Sequence, residues 1–190
     1  MIKAVTFARY VIAQQHHGPS GRPVPSSVFH NLATWHLIQW CYAPQAQRAA
    51  QALRGDFLTT GPTVEAFEDA FADQVGAQHA VACSNGTAAL HLAMLALEVQ
   101  PGEAVIAPSI TFLATANCAR FVGAEVVFAD VDPQTGLRTT GALAEAMTRL
   151  DGRRLRAVLP VHLRGDTAEL PALEAMAKSA NAVLVEDAPH

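Results

Sequence analysis

The run HAVACSNGTAALHLAMLALEVQPGEAVIAP, residues 79–108, changes period twice. His79–Ser84 is short and apolar, as a buried strand would be. Gly86–Leu97 is rich in Ala and Leu, the strongest helix formers. Pro101–Gly102 marks a turn, and Ala104–Pro108 is a second apolar strand. Strand, helix and strand in that order predict parallel strands joined by a right-handed crossover. The same alternation continues on both sides. Upstream, Val64, Phe67, Phe71 and Val75 fall at helical spacing. Glu65, Glu68 and Asp69 suit the positive end of that helix, and Gly76 can close it. Downstream, helices are expected at 112–122, 141–150 and 168–180, with Pro171 in the first turn of the last. Strands are expected at 125–131, 155–162 and 182–187, and Asp132–Gly136 reads as a turn. The fold class that follows is α/β: a three-layer, doubly wound, mostly parallel sheet covered by helices on both faces.

Composition narrows the function. The chain has 190 residues, about half of them apolar, enough for one domain with a sizeable core. Net charge is −4, which argues against a nucleic-acid partner. The charge is uneven. Residues 1–55 hold Lys3, Arg9, Arg22, Arg48 and Arg54 and no acid, so all seventeen acids follow from Asp56 onward. Cys41, Cys83 and Cys118 show no metal-ligand or disulfide spacing, so no metal is expected and a reducing cytoplasm fits best. No apolar run reaches the roughly 18–20 residues that span a bilayer, so no membrane partner is expected. The first 45 residues contain both Trp, both Tyr and four of the eight His, with Pro19, Pro23 and Pro25 breaking any long helix. They read as an atypical extension: loosely ordered, a product of a mis-called start or shifted frame, or a targeting segment.

In an open α/β sheet, ligands bind beyond the carboxyl ends of the strands. Four stretches fall there. SNGT, residues 84–87, has Gly86 for close backbone approach and a helix start that favours an anion, with Thr87 adding a hydroxyl. An ordinary turn explains the same four residues. In PSITFLATAN, residues 108–117, Phe112 follows a strand and could stack on a flat ligand or simply open a helix. In VLPVHLRGD, residues 158–166, His162 ends a strand and could reach a ligand or be structural. In VLVEDAPH, residues 183–190, an apolar strand runs straight into Glu186 and Asp187. A carboxylate there is costly without a partner, and a protonated ring nitrogen would be one. A phosphate cradle, a stacking ring and a carboxylate for a pyridinium nitrogen are together what pyridoxal 5'-phosphate requires.

These stretches, with GDFLTTGPTVEAFEDAF at 55–71, resemble the DegT/DnrJ/EryC1/StrS sugar aminotransferases over about residues 46–190. The resemblance implies the aspartate-aminotransferase type of pyridoxal-phosphate fold, here an incomplete large domain over 46–190 without the small C-terminal domain. It implies that Gly86 and Thr87 hold the cofactor phosphate, Phe112 stacks on the ring, Asp187 pairs with the ring nitrogen and His190 lies near the ring oxygen. It puts Thr59, Thr60 and His162 on the substrate side. PSITFLATAN, PVHLRG and the His closing EDAPH resemble most the branch serving the pseudaminic acid route. That branch implies a UDP-linked 4-keto-6-deoxy sugar as substrate, glutamate as amino donor and a homodimer.

Two departures stand out. Pro189 replaces a small residue, and LRGD replaces an amide-bearing loop. No catalytic residue is assigned, because the family's Schiff-base lysine falls beyond Asp187 and matches neither Lys3 nor Lys178. The chain alone is therefore expected to be inactive. Rival expectations are a non-catalytic truncated product, another amino-sugar transaminase or dehydratase of the family, and an α/β binding domain without cofactor.

Overall fold

The computed structural model describes residues 2–5, 47, 50–51, 53–57 and 61–188. The chain divides into two compact units, one built on Cys83–His190 together with the first strand and one within Gln15–Ala82. In the second unit, α1 spans Pro62–Val75. Proline opens it, where a missing N–H costs nothing. Gly76 closes it at φ 66°, a left-handed turn glycine adopts without strain, and its N–H bonds back to Ala72 and Asp73 carbonyls. Glu65 is the acid in its first turn, and the Phe67 and Phe71 rings stack one turn apart, centroids 6.2 Å.

The first unit is the sheet. Its strands are β1 (Ile2–Val5), β2 (Ala104–Pro108), β3 (Glu125–Ala129), β4 (Leu155–Val158) and β5 (Val183–Ala188). Its helices are α2 (Gly86–Ala96), α3 (Ala114–Phe121), α4 (Thr140–Thr148) and α5 (Leu170–Ser179). Strand order is β1-β5-β4-β2-β3, and every pairing is parallel. Interior strand β2 is buried at all five positions, as a strand covered on both faces must be. Edge strand β3 is partly exposed. The Arg149 guanidinium donates to its Phe128 carbonyl at 2.7 Å, satisfying an acceptor on that strand.

Alternation along the strands sends successive side chains to opposite faces. Val105, Ala157, Leu159 and Val185 pack under α2 and α3 with Leu90, Met94, Ala114 and Cys118. Ile106, Val158 and Leu184 pack under α4 and α5 with Leu143, Ala146, Leu173 and Ala177. These two apolar layers make the three-layer architecture that the alternation predicts.

Two elements differ from expectation. His79–Ser84 is not a strand, and Val81 is 77% exposed. A strand exists only through a neighbour's hydrogen bonds, and the Ala82 N–H instead donates to the Glu68 carboxylate at 2.6 Å. Conversely, β1 was not anticipated. Four residues are too few to show a period, and β1 is defined by its register on β5, Ile2 beside Val185 and Ala4 beside Asp187. No described helix is long and apolar enough to cross a membrane.

Candidate active site at the carboxyl edge of the sheet

Parallel strands and antiparallel return helices bring strand C-termini and helix N-termini to one rim. For α2 this follows from length. Its end leads through Pro101–Gly102 into the start of β2. Eleven helical residues rise about 16 Å, close to the roughly 16 Å of a five-residue strand, so its first turn stands at the rim. The sequence folds that way because Asn85, extended at φ −168°, caps the helix: its side-chain oxygen accepts the Ala88 N–H at 2.9 Å. Gly86 is buried and Thr87 half-buried beside this cap. Phe112 lies between β2 and α3 with its ring 76% exposed on the same rim. Its carbonyl accepts the Thr115 N–H at 3.1 Å, so it is tied to the first turn of α3.

Asp187 sits at the rim end of β5 and is only 5% exposed. Its backbone is held from both sides: its N–H donates to the Pro160 carbonyl at 2.9 Å, and its carbonyl accepts the His162 N–H at 3.0 Å. Its side chain follows Val185 onto the α2/α3 face. There Oδ2 accepts the Thr115 hydroxyl at 2.6 Å, and Thr115 in turn lies 2.7 Å from the Thr111 hydroxyl. One turn further along α3, the Cys118 thiol donates to the Thr115 carbonyl at 3.2 Å. Burial pushes that thiol up to about 12, and the Asp187 charge adds to the effect, so Cys118 stays a neutral thiol.

Glu186, one residue earlier, points to the α4/α5 face. Its Oε2 lies 3.0 Å from His162 Nε2, and both side chains are buried. Among the described residues, His162 Nδ1 and Glu186 Oε1 have no further partner. Arg138, on the segment entering α4, is 2% exposed and donates through Nη1 to the Ile106 carbonyl at 3.3 Å. Its Nε and Nη2 have no partner among the described residues. Burial pushes its pKa down to about 9.

Of the residues expected at a site, Gly86, Thr87, Phe112 and Asp187 share the rim, and Asp187 faces the α2/α3 layer. The His162 ring turns to Glu186 instead, and only its backbone N–H reaches Asp187. Thr59, Thr60 and His190 lie outside the described residues. Thr115, Thr111, Arg138 and the Glu186–His162 pairing were not anticipated. The spacing of Thr111 and Thr115, four apart at a helix start, is the signal that could have revealed the first two.

A doubly wound parallel sheet with helices on both faces, and with a capped helix start and a buried carboxylate at its carboxyl edge, places the chain in the parallel α/β class. The model of the DegT/DnrJ/EryC1/StrS aminotransferase family matches residues 42–190, and the chain belongs to that family. Solved structures agree. DesV from S. venezuelae, solved in complex with a ketimine intermediate, is 31% identical with TM-score 0.73, covering 80% of this chain and 40% of its own. 3-Amino-5-hydroxybenzoic acid synthase is 35% identical with TM-score 0.67, covering 73% and 36%. NtdA from Bacillus subtilis, solved with its cofactor PMP bound, is 31% identical with TM-score 0.63, covering 68% and 29%. The chain thus spans well under half the length of these relatives.

Proposed function

We propose that this chain supplies the cofactor-binding half of a pyridoxal-phosphate aminotransferase acting on a nucleotide-linked 4-keto-6-deoxy sugar. The buried Asp187 carboxylate at the tip of β5, beside a capped helix start, is the observation that carries this reading. The donor set fits the cofactor. Backbone N–H groups of Gly86 and Thr87, with the Thr87 hydroxyl, suit a phosphate. The exposed Phe112 ring suits the face of a planar heterocycle. A carboxylate buried at 5% exposure gains a counter-charge from a protonated ring nitrogen. NtdA carries the amino form of the same cofactor.

Pyridoxal phosphate, when bound, supplies an electron sink for the carbanion formed beside the transferred nitrogen. Asp187 contributes to that chemistry by holding the proton on the ring nitrogen. Phe112 limits tilt of the ring, and the α2 start holds the phosphate in a fixed orientation. His162 acts through Glu186 rather than by direct contact.

The sugar assignment rests on PSITFLATAN, PVHLRG and EDAPH, which resemble the pseudaminic acid branch, with a UDP-linked sugar, glutamate as donor and a homodimer. A second reading takes a cyclic non-sugar ketone as acceptor, favoured by the 35% identity to 3-amino-5-hydroxybenzoic acid synthase. The cofactor is tested by titrating the purified chain with pyridoxal phosphate and following ligand absorbance. Asp187→Ala weakens binding about tenfold or more, roughly 1.4 kcal/mol. Unchanged affinity in that variant removes the cofactor reading. Saturation-transfer NMR with a UDP-linked 4-keto sugar and with a cyclic enone acid separates the two substrate classes.

A further inference from the structure

We infer that Thr115 is a positioning residue for Asp187, and that Thr111 and Thr115 form a one-way chain of hydroxyl dipoles aimed at its Oδ2. The role for the cofactor rests on the reading above; the chain of hydroxyls itself does not.

The direction follows from hydrogen counting. An ionised carboxylate only accepts, so Thr115 must spend its single hydroxyl proton on Asp187 at 2.6 Å. Thr115 Oγ1 can then only accept across the 2.7 Å contact, so Thr111 donates. Both links therefore point the same way, and each polarises the next. Thr115 is fully buried, so water does not compete for its hydroxyl, whereas Thr111 is half-buried and forms the outer end.

Two consequences follow. The chain favours the ionised form of Asp187, the form that can hold a proton on a heterocyclic nitrogen. It also binds Oδ2 to α3, which fixes the rotation of the carboxylate. Phe112 precedes the same first turn, so one helix start would set both the carboxylate and the ring that stacks. Cys118 on α3, a neutral thiol, faces Asp187, and the Glu186 and His162 side chains pair on the opposite face.

The test is carbon-13 NMR of the cofactor-free 190-residue chain labelled at aspartate carboxyls, with Asp187 assigned by loss of its signal in D187N. Thr115→Val keeps the shape and removes the hydroxyl. It raises the Asp187 titration midpoint by about one pH unit, and Thr115→Ser restores it. Thr111→Val moves it the same way by less. An unmoved midpoint in a Thr115→Val variant with native circular dichroism overturns the inference. Should Thr115→Val not fold, Thr111→Val decides: an upward shift supports the chain, and no shift overturns it. Pyridoxal-phosphate affinity, measured on the same samples, separates this inference from the cofactor reading. Binding lost in Asp187→Ala but unmoved midpoints removes the hydroxyl chain alone. Shifted midpoints with binding indifferent to Asp187→Ala remove the cofactor alone.

Discussion

Glu186 and Asp187 are adjacent on one strand and almost equally buried, at 4% and 5% exposure, yet they belong to different halves of the molecule. Asp187 meets the α2/α3 layer and the Thr115 hydroxyl, which Thr111 touches in turn. Glu186 meets the α4/α5 layer and an imidazole. The Thr115 hydroxyl orients the Asp187 carboxylate without adding a charge of its own. The Glu186–His162 pair is a hydrogen bond made inside the protein, 3.0 Å between Oε2 and Nε2. The pleat of β5 sends one carboxylate to a hydroxyl and the other to an imidazole.

The largest expected effect breaks the second half of that comparison. His162→Ala leaves Glu186 buried without its partner, and loss of one member of a buried pair costs about 3 kcal/mol. Urea unfolding followed by circular dichroism measures it, and pyridoxal-phosphate affinity per folded molecule stays unchanged. Unchanged stability together with lost sugar binding would instead give His162 a direct substrate role.

Arg138 sharpens the contrast from the cationic side. Burial lowers its pKa from the usual guanidinium range to about 9, so the folded state disfavours the charged form. That penalty is fully present below about pH 9. It is relieved as pH rises above about 9, where the unfolded chain binds more protons than the folded one. Arg138→Met therefore stabilises the protein at neutral pH by about 1 kcal/mol, the gain reduced by the lost bond to Ile106. The advantage over the parent shrinks above about pH 9, as paired thermal melts across pH would record. An advantage that does not vary with pH would mean that the buried charge is not its source.

On the Asp187 side, Asn85→Ala removes the α2 cap and costs about 1 kcal/mol. Thermal melts give that loss. If the capped start also holds the cofactor phosphate, pyridoxal-phosphate affinity falls with it. A stability loss with full affinity would confine Asn85 to helix capping.

Much of the architecture was legible in sequence because apolar runs and turn residues are local signals. The α1 helix ends at Gly76 as its composition implies, and Pro171 stands in the first turn of α5. Asp187 was legible as a strand-end carboxylate, but Glu186 carried the same signal. Thr115 lies within PSITFLATAN, where the exposed Phe112 drew the chemical argument; its partner is 72 residues away. His79–Ser84 has strand composition and no strand.

By itself, the order of residues determined the alternating helices and strands, the α/β class and the stretches that fall at the strand ends. Those follow from propensity and period, which act over a few residues. Only the tertiary structure decided which of two adjacent carboxylates faces which helix layer, that Thr115 reaches Asp187 with Thr111 behind it, that Arg138 is buried and that Ile2–Val5 joins the sheet. These depend on register and packing between segments far apart in the chain, where a shift of one residue would exchange the two faces.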